Sequence, residues 1–140
     1  MTETGLEAFD TTVQKTNTWL SQISGKMGWD DRHRSYLALR GVLHALRDRL
    51  TVEEAADLGA QLPMLVRGIY YDGWRPAEAP QKYDRGGFLA RVNSQFDREP
   101  GIDPEPVARA VFSTLSDNIA QGEIADIKDN LPKDLVDLVA

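Results

Sequence analysis

There is no cysteine anywhere in the 140 residues. That removes disulfides, thiolate metal sites and cysteine nucleophiles together, and it fits a reducing, cytoplasmic setting. Histidine is almost as scarce, with only His33 and His44. A metal site needs three or four ligands, and no HExxH or related cluster is present, so neither metal nor other cofactor is expected. No run of about 18 apolar residues occurs, so no membrane span is expected. The start, MTETGLEAFD, has neither the basic residues nor the apolar stretch of a signal peptide. A P-loop, a GxSxG elbow and a dinucleotide fingerprint are missing too, and the glycine pair in DRGGF (84–88) is too little to suggest one.

What remains is ordinary soluble composition, 41% apolar and 27% charged, at the length of one domain with a real core. The net charge of -6 is unevenly placed. Acids and bases balance through Phe96, and all the excess falls beyond it, against only Arg98, Arg109, Lys128 and Lys133. Such a chain repels a phosphate backbone, so nucleic-acid binding is not expected.

The apolar residues recur at helical spacing, and no stretch alternates like a strand, so the chain reads as all-α. Leu6, Phe9, Val13, Leu20, Ile23 and Met27 form one face of a first helix, closed by Gly28 as C-cap. Asp30 or Asp31 starts a second, facing inward with Tyr36, Leu39, Leu43, Leu46 and Leu50. Thr51 and Glu54 have capping-box spacing at a short third helix, and Pro63 ends it and opens a fourth through Leu65, Val66 and Ile69. YDGWRPAEAPQK (71–82) breaks every period and connects to helices from about Asp84 to Phe96 and from Asp103–Pro104 onward.

Laid on itself with an offset of 69 and no gaps, the chain matches from Trp19 to its end. Ile23 meets Val92, and Met27 meets Phe96. Arg40, Val42, Leu46 and Asp48 meet Arg109, Val111, Leu115 and Asp117. EAADLGAQLP (54–63) returns as EIADIKDNLP (123–132). Caps and helix-stopping proline keep register along with the apolar positions, which points to an internal duplication. The expected architecture is a single domain over 1–140: a closed bundle of about seven or eight helices. Its two pseudo-repeated units span about 6–71 and 84–140, joined by 71–83.

Candidate chemistry is sparse. Glu54/Asp57 and Glu123/Asp126 are carboxylate pairs that favourable charge at a helix start already explains. His33, Arg40, His44 and Arg47 share a side of the second helix, a dock for an acidic partner or a flank paired with neighbouring carboxylates. Arg40, which has a counterpart in Arg109, suits a partly buried guanidinium tying helices together in both units. Arg67, Tyr70, Tyr71, Trp74 and Arg75 form an aromatic–arginine cluster opposite which the second unit has only Val139 and Ala140. Such clusters are enriched at interface hot spots, although the rings could also cover the seam between the units.

WDDRHRSYLALRGVLHALRDRL (29–50), followed by LGAQLPMLVRGIYYDGW (58–74), closely resembles the bacterial family known as domain of unknown function 2267. The resemblance runs from about Phe9 onward. It implies an all-α bacterial domain without an assigned activity, cofactor or catalytic residue, and it carries over no site. REPGIDPEP (98–106) departs from the family's even helix lead-in.

The leading expectation is therefore a non-enzymatic module that binds another protein or itself. The alternative is a protein holding a small apolar or anionic ligand in a pocket between the two units, where convergent polar groups would be found. An enzyme would need a shielded carboxylate or histidine in a cleft, and the sequence offers no sign of one.

Overall fold

A computed structural model describes residues 3–139. Met1, Thr2 and Ala140 lie outside the described residues, and with them the outermost ends of the expected domain and the counterpart of Tyr71. Eight α-helices and two 3-10 turns are present, and no strand occurs among the described residues. In chain order they are α1 (Glu7–Met27), α2 (Arg32–Arg49), α3 (Val52–Ala60) and α4 (Met64–Tyr71), then α5 (Arg85–Asn93), α6 (Pro104–Asn118), α7 (Gln121–Asn130) and α8 (Lys133–Val139).

The boundaries have local causes. Gly28 ends α1 in the left-handed region (φ 67, ψ 33), where a side chain would be strained, and its N–H reaches the Ser24 carbonyl. Asp31 caps α2, its carboxylate accepting from the His33 and Arg34 backbones at 2.9 and 3.3 Å. Thr51 and Glu54 make both halves of the capping box. Pro63 occupies the N-cap of α4, one residue before the first helical position expected for it, and Pro132 likewise precedes α8. Asp103 caps α6 ahead of Pro104. The helix expected through Phe96 is α5, finished by a 3-10 turn over Ser94–Phe96.

α2 and α6 form the centre. α2 packs against α1, α4, α5 and α6, and α6 against α1, α2, α5 and α8. Buried positions therefore cover much of α2, including Ala38, Leu39, Val42, Leu43, Ala45 and Leu46. Each large aliphatic side chain buried here contributes about 1.5–3 kcal/mol by leaving water. Gly41 lets α5 approach, since a Cβ there would stand 2.7 Å from Gln95 Cγ and 3.4 Å from the Val92 carbonyl. The connecting segment holds one 3-10 turn (Pro76–Glu78) and is tied to α2. Gln81 donates its N–H to the Asp48 carbonyl at 2.7 Å, and the Tyr83 hydroxyl donates to the Ala45 carbonyl.

Two expectations about the inward faces are corrected. On α1 only Thr16, Trp19, Leu20 and Ile23 are buried, whereas Leu6 and Phe9 each keep 50% of their surface exposed. The apolar stripe is real, but among the described residues its first turn is only half covered. On α4 Val66 is buried while Leu65 remains 41% exposed.

Candidate functional site

The two sets of residues singled out in sequence, the side of α2 and the aromatic run, prove to be one construction. The last turn of any helix leaves carbonyls without intrahelical partners and gathers partial negative charge. For α4 those carbonyls are answered from α2. His44 Nε2 lies 2.7 Å from the Ile69 carbonyl. Arg47 donates from Nη1 to the carbonyls of Tyr70 and Asp72 at 2.8 and 2.9 Å, and from Nε to the Asp48 carboxylate at 2.9 Å. Arg40 reaches the Asp72 carboxylate and the Gln95 amide oxygen, both at 3.4 Å. Arg47 is only 4% exposed, so the buried guanidinium of this helix is Arg47; Arg40 is half-buried at the margin. Burial holds the His44 imidazole below the usual histidine range. The Ile69 carbonyl opposes that effect, and the positive charges of Arg47 and Arg40 add to it. Neutral His44 then donates its Nε2 proton to the carbonyl.

The aromatic run packs from the same end of α4 onto α3. Tyr70 is fully buried and donates its hydroxyl to the Ala55 carbonyl at 2.8 Å, tying α4 to α3. Burial drives its phenol far above the usual tyrosine range, so it stays a donor. Tyr71 packs edge-on against Tyr70 at 4.9 Å between centroids, and Trp74 lies 5.3 Å beyond it. The tip of the Tyr71 ring rests on Gly59, where an added Cβ would come within 2.6 Å of Cζ. Arg67 closes α3 in turn, donating to the Gly59 and Leu62 carbonyls at 2.8 and 2.9 Å. The expectation of an open partner surface over residues 67–75 is therefore narrowed to the rim. Tyr70 is interior, Tyr71 and Trp74 are half-buried, and Arg75 stands out in solvent beside Glu78. His33 is exposed at the start of α2, its ring 5.9 Å from Tyr36, far from the joint that His44 serves.

In the C-terminal half of the chain Arg109 and Arg85 hold α8. Arg109 donates to the Asp137 carbonyl and carboxylate, each at 2.8 Å, and to Glu105 at 3.0 Å. Arg85 bonds the Asp134 carbonyl at 2.9 Å, Glu105 at 2.6 Å and the Asp137 carboxylate. Hydrogen bonds from these guanidiniums hold the Glu105 and Asp137 carboxyls below the usual range.

The two carboxylate pairs meet. Glu54, Asp57, Glu123 and Asp126, with Asn130, line a small hollow of about 80 Å³ between α3 and α7. Burial, then the charges of Asp126 and Asp57, raise the Glu123 carboxyl. Among the described residues no group of three or more His, Asp or Glu side chains is arranged to hold a metal ion, and no helix is long and apolar enough to cross a membrane.

Several open features lie around α1 and α4, which sequence reading missed as a site. Leu6, Phe9, Met64 and Leu65 are large apolar side chains left in solvent. Thr12 fixes the two helices together by accepting the Leu65 N–H at 2.8 Å. On one flank a groove of about 570 Å³ runs among α1, α2 and α4. Val13, Leu20, Tyr36, Leu65 and Ile69 line it, with Arg32 and His33 at one end. On the other flank a cleft of about 530 Å³ is lined by Lys15, Trp19, Gln61, Met64 and Arg67, among others. The apolar spacing of Leu6 and Phe9 was visible in sequence; that no helix covers them was not.

No curated protein matches the chain. A family model does, over residues 16–138, from the middle of α1 to the end of α8. Its start falls after the overhanging turns that carry Leu6 and Phe9. The match spans the bundle described above, and the chain belongs to the family of uncharacterized conserved proteins designated DUF2267.

Proposed function

We propose that this is a non-enzymatic helical interaction module that pairs with a second copy of itself through the groove among α1, α2 and α4. The observation that carries the reading is the pair Leu6 and Phe9, each half exposed on a helix that overhangs its own core. Exposed apolar side chains beside a groove lined by Val13, Leu20, Tyr36, Leu65 and Ile69 mark an interaction face.

Charge favours a second copy as the occupant. The start of the chain is acidic around its apolar residues, with Glu3, Glu7 and Asp10. The groove ends on Arg32 and His33, and Arg32 pairs with no carboxylate among the described residues. A two-fold axis near Val13, with the α1 helices antiparallel, carries Leu6 and Phe9 of each copy toward Leu20 and Tyr36 of the other. The acidic start of the chain, at Glu3, then approaches Arg32. A two-fold interface is self-complementary, so one such patch is enough and every contact forms twice.

The bundle itself we read as two pseudo-repeated units in one domain. Support comes from α3 and α7, which begin at 52 and 121, and from α4 and α8, which begin at 64 and 133, each pair 69 apart. The paired phrases also face each other across the hollow of Glu54, Asp57, Glu123 and Asp126. The cysteine-free composition and the family resemblance favour a bacterial cytoplasmic protein.

Light scattering over a concentration series tests the pairing. The expected result is a dimer that Phe9→Glu and Leu65→Glu convert to monomer without loss of helicity. A strict monomer at every concentration would overturn self-association.

A further inference from the structure

The cleft on the other flank of α1 has a feature at odds with the rest of the molecule. The chain carries a net charge of -6, yet the charged residues lining this cleft are Lys15 and Arg67, with no carboxylate. Neither cation is paired with an acid among the described residues. Arg67 is also held in place. Its Nε and Nη2 are committed to the Gly59 and Leu62 carbonyls, leaving Nη1 to offer. A guanidinium already ordered by its own protein loses little freedom on meeting a ligand.

Other donors converge there. The Gln61 amide stands in the wall. α4 begins beside it at Pro63 and Met64; Thr12 accepts the Leu65 N–H, and the partial positive charge of that helix start still adds to the field. By contrast, the Thr18 hydroxyl and the Asn118 amide are already spent on the carbonyls of Gln14 and Thr114 and on Gln22. The remaining walls, Trp19, Leu62, Pro63 and Met64, are apolar. At about 530 Å³ the cleft falls in the size range of small-molecule sites.

We infer that this cleft binds a small carboxylate carrying an apolar tail, its head group between Lys15 and Arg67 and its tail along Pro63 and Met64. This goes beyond self-association and does not depend on it, because Lys15 and the pairing groove lie on different flanks of α1.

Isothermal titration with hexanoate, hexanol, hexylamine and inorganic phosphate, read residue by residue by ¹H–¹⁵N NMR, tests the assignment. Hexanoate should bind saturably and shift the amides of Lys15, Gln61 and Met64. Hexanol, lacking the charge, should bind about tenfold more weakly, as expected for one charge-assisted contact. Phosphate, lacking the tail, should also be weaker, and hexylamine should not bind. Lys15→Gln should weaken hexanoate about tenfold while leaving thermal stability and light scattering unchanged. Arg67→Lys keeps the charge but loses the clamp and should weaken it less. Hexanoate binding no tighter than hexanol, binding unaffected by Lys15→Gln, or tighter binding of phosphate would each overturn the inference.

Discussion

α4 and α8 close the two halves of the chain, and both present backbone carbonyls that accept from arginine, yet the halves supply the arginines differently. In the first half the partners come from inside: Arg47, 4% exposed, and half-buried His44 reach the carbonyls of Ile69, Tyr70 and Asp72. In the second half they come from the surface. Arg85 and Arg109 bond Asp134 and Asp137 with side chains that solvent still touches. Water and salt screen the second arrangement and not the first. The aromatic cluster thus belongs to the half whose joint rests on a buried guanidinium.

The sharpest way to break this contrast is Arg47→Met. It keeps the stem's packing but removes the donor to the buried Tyr70 carbonyl and the partly buried Asp72 carbonyl, and leaves the Asp48 carboxylate with Arg91 alone. Loss of one member of a buried ionic network costs about 3 kcal/mol or more, read as a large fall in urea midpoint. Tyr70→Phe, which removes only the hydrogen bond to Ala55, should cost about 1 kcal/mol in the same assay. Arg109→Gln, at the partly exposed joint, should cost the least of the three, and the loss should shrink further in high salt.

Acid should separate the two joints as well. The folded protein holds His44 below its ordinary value of 6.5, so its contribution is present above that pH and is lost as pH falls through the lowered value. Glu105 and Asp137 are likewise depressed, from 4.5 and 3.8, and their contribution survives until pH falls below those values. Stability should therefore decline in two stages on acidification. His44→Gln should abolish the first stage and leave the second, as followed by thermal melts across the pH range.

Much of this was legible locally. Asp31, the Thr51/Glu54 capping box, Asp103–Pro104 and Gly28 mark helix ends because a cap needs only its neighbours in sequence. The roles of Tyr70 and Arg47 were not legible, because they arise where α4 meets α3 and α2, across separations of 15 and 23 residues. Periodicity also showed that Leu6 and Phe9 share a face with Ile23. It says which side of a helix is apolar, never whether another element arrives to cover it. The cleft at Lys15 and Arg67 was hidden for the same reason, its walls coming from α1, the turn between α3 and α4, and the end of α6.

The uncovered stretch of α1 is where the account is most exposed to test, and the absence of cysteine makes the test clean. A single Val13→Cys substitution introduces the only thiol in the chain. If two copies pair antiparallel about Val13, the two thiols lie close to the axis, within reach of a disulfide, whose Cα atoms are usually about 4.4–6.8 Å apart. Mild oxidation should then convert most of the protein to a covalent dimer, far faster than Arg75→Cys, which places a thiol on the exposed rim of the aromatic joint. Crosslinking of Val13→Cys no faster than that of Arg75→Cys would contradict pairing through the α1 groove.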